Sequence, residues 1–351
     1  MDSVVDQQQG ADLGHCLVTG AAGFVGKNLV QALLDRGLKV RALVRNTPLD
    51  IKHDSLECIP GDIQNSQQMR AACEGVDTVF HTAAMIATLG GSAVTREYRE
   101  QAFAINVQGT ANVISACEHN GVRRLIHTSS VDTCFNAEED LRMDENTPYA
   151  TYFSCLYTET KIAAEKSVLK ASSPSLATCA LRPDGIWGCG GIMLDSMVEK
   201  VRAGQLVARI GGMGGLHDHI HIDNLVHAHL LAAESLTPDA VQAGKAYFVS
   251  DGEPARLFEF VRPMFEGLGY SVPKRNIPAG PIRLVMTLWQ WLHFKLGIAE
   301  PPFSPHELNK LTMSTVVYSD AARRDFGYQP VISVADGMAE AIAFYRGQAQ
   351  P

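Results

Sequence analysis

Tyr157 and Lys161 stand four residues apart at the head of the run Y-T-E-T-K-I-A-A-E-K-S-V-L. Read as a helix, that spacing puts a phenol and an ammonium on one face. A phenol alone is a poor base near neutrality, because its pKa is ~10. A neighbouring ammonium, together with the positive nicotinamide of an oxidised cofactor, favours the phenolate and lowers that value. Acid–base chemistry on an alcohol or carbonyl oxygen therefore needs both residues. It also needs a hydroxyl to hold the substrate oxygen, and L-I-H-T-S-S offers Ser129 and Ser130 at a strand end. Asn106, in N-V-Q-G-T on a long helix, is placed to anchor a water linking Lys161 to solvent.

A second motif, T-G-A-A-G-F-V-G, places Gly20, Gly23 and Gly26 between a strand and a helix. The first glycine allows a tight turn, the second lets backbone approach a pyrophosphate, and the third lets helix and strand pack closely. The free N–H groups at the helix start then face the phosphates. At the end of the second strand an acid would hold the ribose 2′-OH of NAD, but Val44 and Arg45 stand there, with no acid until Asp50. An arginine pairs with a 2′-phosphate, so NADP(H) is favoured, with NAD(H) the alternative. Asp62, in P-G-D-I, is placed to accept from the adenine amino group, or else caps a turn.

The elements that must position these groups read in β–α–β order. Strands are expected at His15–Thr19, Lys39–Val44, Val76–His81 and Arg124–Thr128, with helices at Phe24–Arg36 and Glu97–His119. Strands alternating with helices imply a parallel sheet covered on both faces. From about residue 185 glycines become dense and strands short. The expected organisation is a loose tail over 1–14, a dinucleotide-binding domain over 15–184 whose sheet later segments help complete, and a smaller substrate-binding region over 185–351.

Composition narrows the chemistry. The 351 residues carry a net charge of −8, which argues against a nucleic-acid surface. None of the eight cysteines forms a C-x-x-C pair, so reduced thiols in a cytoplasmic protein are expected.

Together T-G-A-A-G-F-V-G, N-V-Q-G-T-A-N, H-T-S-S, Y-T-E-T-K-I-A-A-E and L-R-P-D-G-I-W-G resemble the extended short-chain dehydrogenases. H-I-D-N-L-V-H-A-H-L-L-A and G-K-A-Y-F-V-S-D-G-E-P are similar to their 3β-hydroxysteroid dehydrogenase branch, and the likeness runs from about residue 15 to 345. It implies an α/β fold with a Rossmann-type doubly wound sheet, and an oxidoreductase interconverting a secondary alcohol and a ketone on a sterol-like molecule. Ser130 becomes the substrate-polarising hydroxyl, Tyr157 the acid/base and Lys161 its partner, with Ser129 in reserve. The expected cofactor contacts are then Gly20, Gly23, Phe24, Val25, Gly26, Arg45, Asp62, Ile63, Ala83, Thr128, Tyr157 and Lys161, with Pro183 near the nicotinamide amide. A homodimer through the long helices is also implied. Two departures stand out: the missing acid after the second strand, and Gly188-Cys189-Gly190 where the branch has G-P-G.

Three rival readings are a reductase of long-chain 2-alkyl-3-keto acids, a nucleotide-sugar epimerase, and a dinucleotide-binding scaffold without turnover. A cation lining the substrate pocket would support the first. The apolar stretch over 281–298, containing Trp289 and Trp291, is too interrupted for a membrane span. It is expected to cover a lipophilic substrate, to touch a bilayer surface peripherally, or simply to pack on the second region. His217, His219, His221, His227 and His229 lie close in sequence but without companion acids or thiols, so no metal is expected. A strand followed by Asp223 as a helix cap is the simpler account.

Overall fold

The sheet forms from runs that are buried along their whole length rather than alternately. Cys16–Thr19 (β1), Thr78–His81 (β4), Arg124–Thr128 (β5) and Ala177–Pro183 (β6) have no exposed residue. Such strands need cover on both faces, which parallel β–α–β connections provide. The computed structural model describes residues 12–91, 94–138 and 140–348. With Val40–Val44 (β2), Leu56–Pro60 (β3) and Lys245–Val249 (β7), it holds a seven-stranded sheet in the order β7-β6-β5-β4-β1-β2-β3. Every pairing in it is parallel. The chain thus builds outward from β1 in one direction and then in the other, and the crevice between β1 and β4 is where such sheets bind ligands.

Helices Phe24–Asp35 (α1) and Ile222–Ser235 (α7) cover one face through Leu29, Leu33, Leu225 and Ala228. Ser66–Ala72 (α2), Gly109–Asn120 (α4) and Leu156–Lys170 (α5) cover the other through Met69, Val113 and Val168. The long helix expected over Glu97–His119 is present but broken. Arg96–Phe103 (α3) passes through a π turn at Ala104–Gln108 before α4 begins. The wider turn carries Asn106, and such turns concentrate at functional sites.

Residues 1–11 of the expected tail lie outside the described residues. Leu13, also expected to be loose, is instead 2% exposed within the β1 core, and its carbonyl accepts a hydrogen bond from Thr78 Oγ1 at 2.8 Å. The later chain serves both regions, since β7 and α7 complete the main sheet. The rest forms a second core around Trp187, Phe258, Phe260, Phe265 and Tyr345. Ile192–Arg202 (α6) packs into it, while Ala279–Leu296 (α8) and Pro305–Thr312 (α9) pack on each other.

Candidate active site

A cleft of ≈ 490 Å³ opens beside the glycine turn. Gly20, Gly23, Arg45, Asp62, Ile63 and Ala83 line it, as do Thr47, Thr82 and Gln101, which sequence reading did not single out. Gly20 adopts φ +68°, and a Cβ there would stand 2.8 Å from Ala83 backbone. At Gly26 a Cβ would fall 2.2 Å from the Gly20 carbonyl, so helix and strand can approach only without a side chain. Gly23 caps α1 with no side-chain hydrogen bond, leaving the first amides of the helix open to the cleft. Those open amides, with backbone that no side chain obstructs, fit a dinucleotide pyrophosphate. Arg45 is exposed and only loosely paired, its Nη1 3.6 Å from Asp62. Asp62 also accepts from the backbone and side chain of Gln64, so it does hold a turn. Of the other expected contacts, Phe24 packs on Gly191 and Val25 on the α1 core. Thr128 turns its hydroxyl to His229 at 2.7 Å. Pro183 closes β6 beside Val249.

Tyr157 lies past the cleft, reached along the Thr82–Ala87 segment. Its backbone N–H donates to the Ala87 carbonyl at 2.9 Å. Ser130 caps the short turn after β5, accepting at Oγ from the Asp132 amide at 3.2 Å. Its hydroxyl lies beside the Tyr157 phenol and eases the ionisation of that phenol. Ser129 Oγ is buried without a partner. Of the two serines, Ser130 is therefore the one the fold brings to Tyr157. Burial and the Asp132 charge push the phenol above its ordinary value, while Lys310 and the Ser130 hydroxyl pull it down.

Lys161 is 1% exposed. Its ammonium donates to the Thr128 carbonyl at 2.7 Å and lies 3.2 Å from His127 Nε2. Burial lowers its pKa to about 8, against opposing help from Glu165 and Asp132. His127 is held well below its ordinary value by burial and by Lys161, so it stays neutral and accepts. Asn106 gives its amide hydrogens to the Met85 carbonyl and Thr160 Oγ1, both at 2.9 Å, and accepts from the Met85 amide at 2.7 Å. It ties the cleft wall to α5, and a water contact toward Lys161 would use its remaining carbonyl lone pair.

Sequence reading missed the charged groups behind Tyr157. Lys310 Nζ lies 2.8 Å from Asp132 Oδ1 and 3.1 Å from Asp184 Oδ1. His306 Nε2 lies 3.6 Å from Asp132 Oδ2, and its Nδ1 is hydrogen-bonded to Ser154 Oγ at 2.6 Å. The available signal was S-P-H-E at 304–307, a capping box with proline at the first helical turn. It announces a helix whose positions 306 and 310 share a face.

The five neighbouring histidines do not converge. His219 stacks on Phe260 at 4.1 Å, and His229 sits under Thr128. His221, not Asp223, is the helix cap, accepting the Asp223 amide. Among the described residues His221, Asp223 and Glu340 are close enough to share an ion, but both carboxylates are exposed and His221 Nδ1 serves the cap. A larger hollow of ≈ 680 Å³ lies at the far sheet edge against Tyr149, Arg182 and Tyr247. Of its charged residues Arg182 is paired with Glu165 and Arg324 with Asp325, and neither Tyr157 nor the glycine turn lines it.

Known proteins resemble the chain over most of its length. The chain is 42% identical over 337 residues to a 3-beta-hydroxysteroid dehydrogenase of Mycolicibacterium neoaurum, spanning 95% of this chain and 92% of that one. It is 36% identical to a 2-alkyl-3-oxoalkanoate reductase of Stenotrophomonas maltophilia, over 92% of this chain and 96% of the other. Among solved structures, MoeE5 in complex with UDP-glucose and NAD superposes with a TM-score of 0.73 at 23% identity, over 96% and 100% of the two chains, a likeness of fold. Residues 17–279 match the model of the 3-beta hydroxysteroid dehydrogenase/isomerase family. The chain belongs to that family and is an NAD(P)-dependent oxidoreductase.

Proposed function

We propose that the protein interconverts a secondary alcohol and a ketone on a steroid- or sterol-like substrate. The observation that carries this is the placing of Ser130 just past the carboxyl end of β5 beside Tyr157, with Lys161 buried one helical turn away. Ser130 and Tyr157 hold the substrate oxygen, and Tyr157 takes or returns its proton. Lys161 keeps a positive charge near the phenol and hands protons through the polar groups around it. The bound dinucleotide supplies or accepts the hydride. NADP(H) is the favoured form because Arg45 stands at the cleft mouth where an acid would select NAD(H).

The rival reductase of 2-alkyl-3-keto acids would gain from a cation lining the site, and Lys310 is such a cation. Two carboxylates, Asp132 and Asp184, bracket it, so the group presents no net positive charge to a substrate carboxylate. An uncharged lipophilic substrate is favoured. Helix α8 supports the same choice by exposing Leu284, Val285, Leu288, Trp291 and Leu296. Among the described residues no helix is long and apolar enough to cross a membrane. That face is where the protein would rest on a lipid surface, and loss of vesicle co-sedimentation in Leu288→Glu checks it.

The decisive test measures NADPH and NADH consumption, and the reverse reactions, on 3-keto and 3β-hydroxy steroids and on long-chain β-keto acids. Tyr157→Phe is the control. Steroid turnover that vanishes in the control supports the reading; turnover of β-keto acids alone transfers the function to the rival.

A further inference from the structure

We propose that Lys310 is a positioning residue of the Tyr157 centre: α9 carries its ammonium across to the carboxyl ends of β5 and β6, where it bridges Asp132 and Asp184 and sets the charge that Tyr157 faces. This rests on the assignment of Tyr157 as the acid/base.

The geometry has three parts. Asp132 follows Ser130 by two residues, and its backbone amide holds the Ser130 hydroxyl that contacts Tyr157. Any force on Asp132 is thus transmitted to the oxygen that orients the phenol. Asp184 follows β6 directly and is 3% exposed, and strands β5 and β6 are paired, so Lys310 spans two adjacent strand ends. On the other flank His306, one turn before Lys310, holds Ser154 near the start of the helix that bears Tyr157. Helix α9 therefore grips the Tyr157 region from both sides, and its capping box and proline fix where its side chains project.

The charged or titratable groups that act on Tyr157 are Asp132 from the turn after β5, Cys155 from the cap of its own helix and Lys310 from α9, while Lys161 shares its helix and His306 pairs with Asp132. Asp184, after β6, faces Lys310. Burial and Asp132 oppose ionisation of the phenol, and Lys310 is the leading group that favours it. Lys161, committed to Thr128 and His127, does not dominate. Lys310 is itself held cationic, because Asp132 and Asp184 outweigh the cost of its burial. Of its three donors, one is hydrogen-bonded to Asp184, and Asp132 is its ion-pair partner. Its side chain remains 24% exposed. The cation comes from the second region, so Tyr157 is tuned only when that region is seated over the site.

The test uses the full chain with a fluorinated tyrosine at position 157, which titrates lower than tyrosine and is read by its 19F signal without substrate. Lys310→Met is expected to raise that titration midpoint by about one unit, which is roughly a tenfold change in phenolate at a given pH. The acidic limb of kcat/KM for alcohol oxidation should move up by the same amount, with KM and cofactor Kd little changed. Lys310→Arg should restore both midpoints. If Lys310→Met folds poorly, Lys310→Met combined with Asp184→Asn removes one charge of each sign, and the shift keeps its direction. A 19F midpoint and pH limb both unmoved, with only a lower Tm, would make Lys310 a strut and overturn the proposal. Absence of any alcohol or ketone turnover in the unmodified protein would remove the proposed function, while the 19F comparison would still decide the charge relation.

Discussion

Two ionic groups meet at β6, one through Arg182 within the strand and the other through Asp184 just past its end, and they differ in almost every other respect. Glu165 and Arg182 are 0% and 6% exposed and meet as a fork, with hydrogen bonds of 3.0 and 2.6 Å. The rings of Tyr149 and Phe248 lie 5.3 and 5.1 Å from the guanidinium. Nε and Nη2 each meet one carboxylate oxygen, the paired geometry that holds such an ion pair firmly. The Asp132–Lys310–Asp184 group has instead a single cation shared by two carboxylates from different strands, and its lysine arrives from another region of the chain. The closed pair fixes α5 to the sheet. The open group can bias a neighbour because its charges are not exhausted by one another.

The comparison breaks most directly at Tyr157. Tyr157→Phe, on the open side, is expected to lower turnover about a thousandfold, with thermal melts and cofactor Kd unchanged. Arg182→Met, on the closed side, should do the reverse. It leaves a buried carboxylate without its partner and should cost about 3–5 kcal/mol of stability, measured by denaturant midpoint. Turnover per folded molecule should be retained, and a large specific loss there would end the distinction between the two groups.

A smaller effect separates them by pH. Burial works against the Asp132 carboxylate, but Lys310 and His306 hold it well below the ordinary value of 3.8. Its contribution to stability is present above that value and is lost as pH falls through it. For His306, burial is outweighed by Asp132 and Cys155, so its pKa rises from 6.5 to about 10. Its contribution is full below 6.5 and fades as pH climbs toward 10. Asp132→Asn should therefore lower Tm most between about pH 4 and 6.5, with the gap closing on either side. A uniform loss from pH 4 to 10 would show that charge is not the cause.

The smallest effect concerns the exposed Arg45–Asp62 pair, which extends the comparison to the surface. At 3.6 Å and open to solvent it adds little stability. Arg45→Ala should leave Tm unchanged while reducing the preference for NADPH over NADH by about tenfold. An unchanged ratio of dissociation constants would remove Arg45 from cofactor choice.

Periodicity and spacing alone place β1, β4 and β5, the glycine turn, and Tyr157 with Lys161, because each of these is decided within one element or one strand–helix junction. The break at Ala104–Gln108 escapes such reading, since a π turn changes one hydrogen-bond step without changing the apolar pattern. The choice of Ser130 over Ser129 is open in the residues themselves, and contact with Tyr157 separates them. Asp132, Asp184 and Lys310 are ordinary charged residues in sequence, far apart along the chain. What the sequence determines by itself is the local chemistry: which backbone can turn tightly, which side chains share a helix face, which strands must be covered on both sides. The meeting of α9 with the ends of β5 and β6 is decided only by tertiary structure. It depends on the chain folding back over those strand ends, and burial is what turns three scattered charges into a group whose ionisation matters.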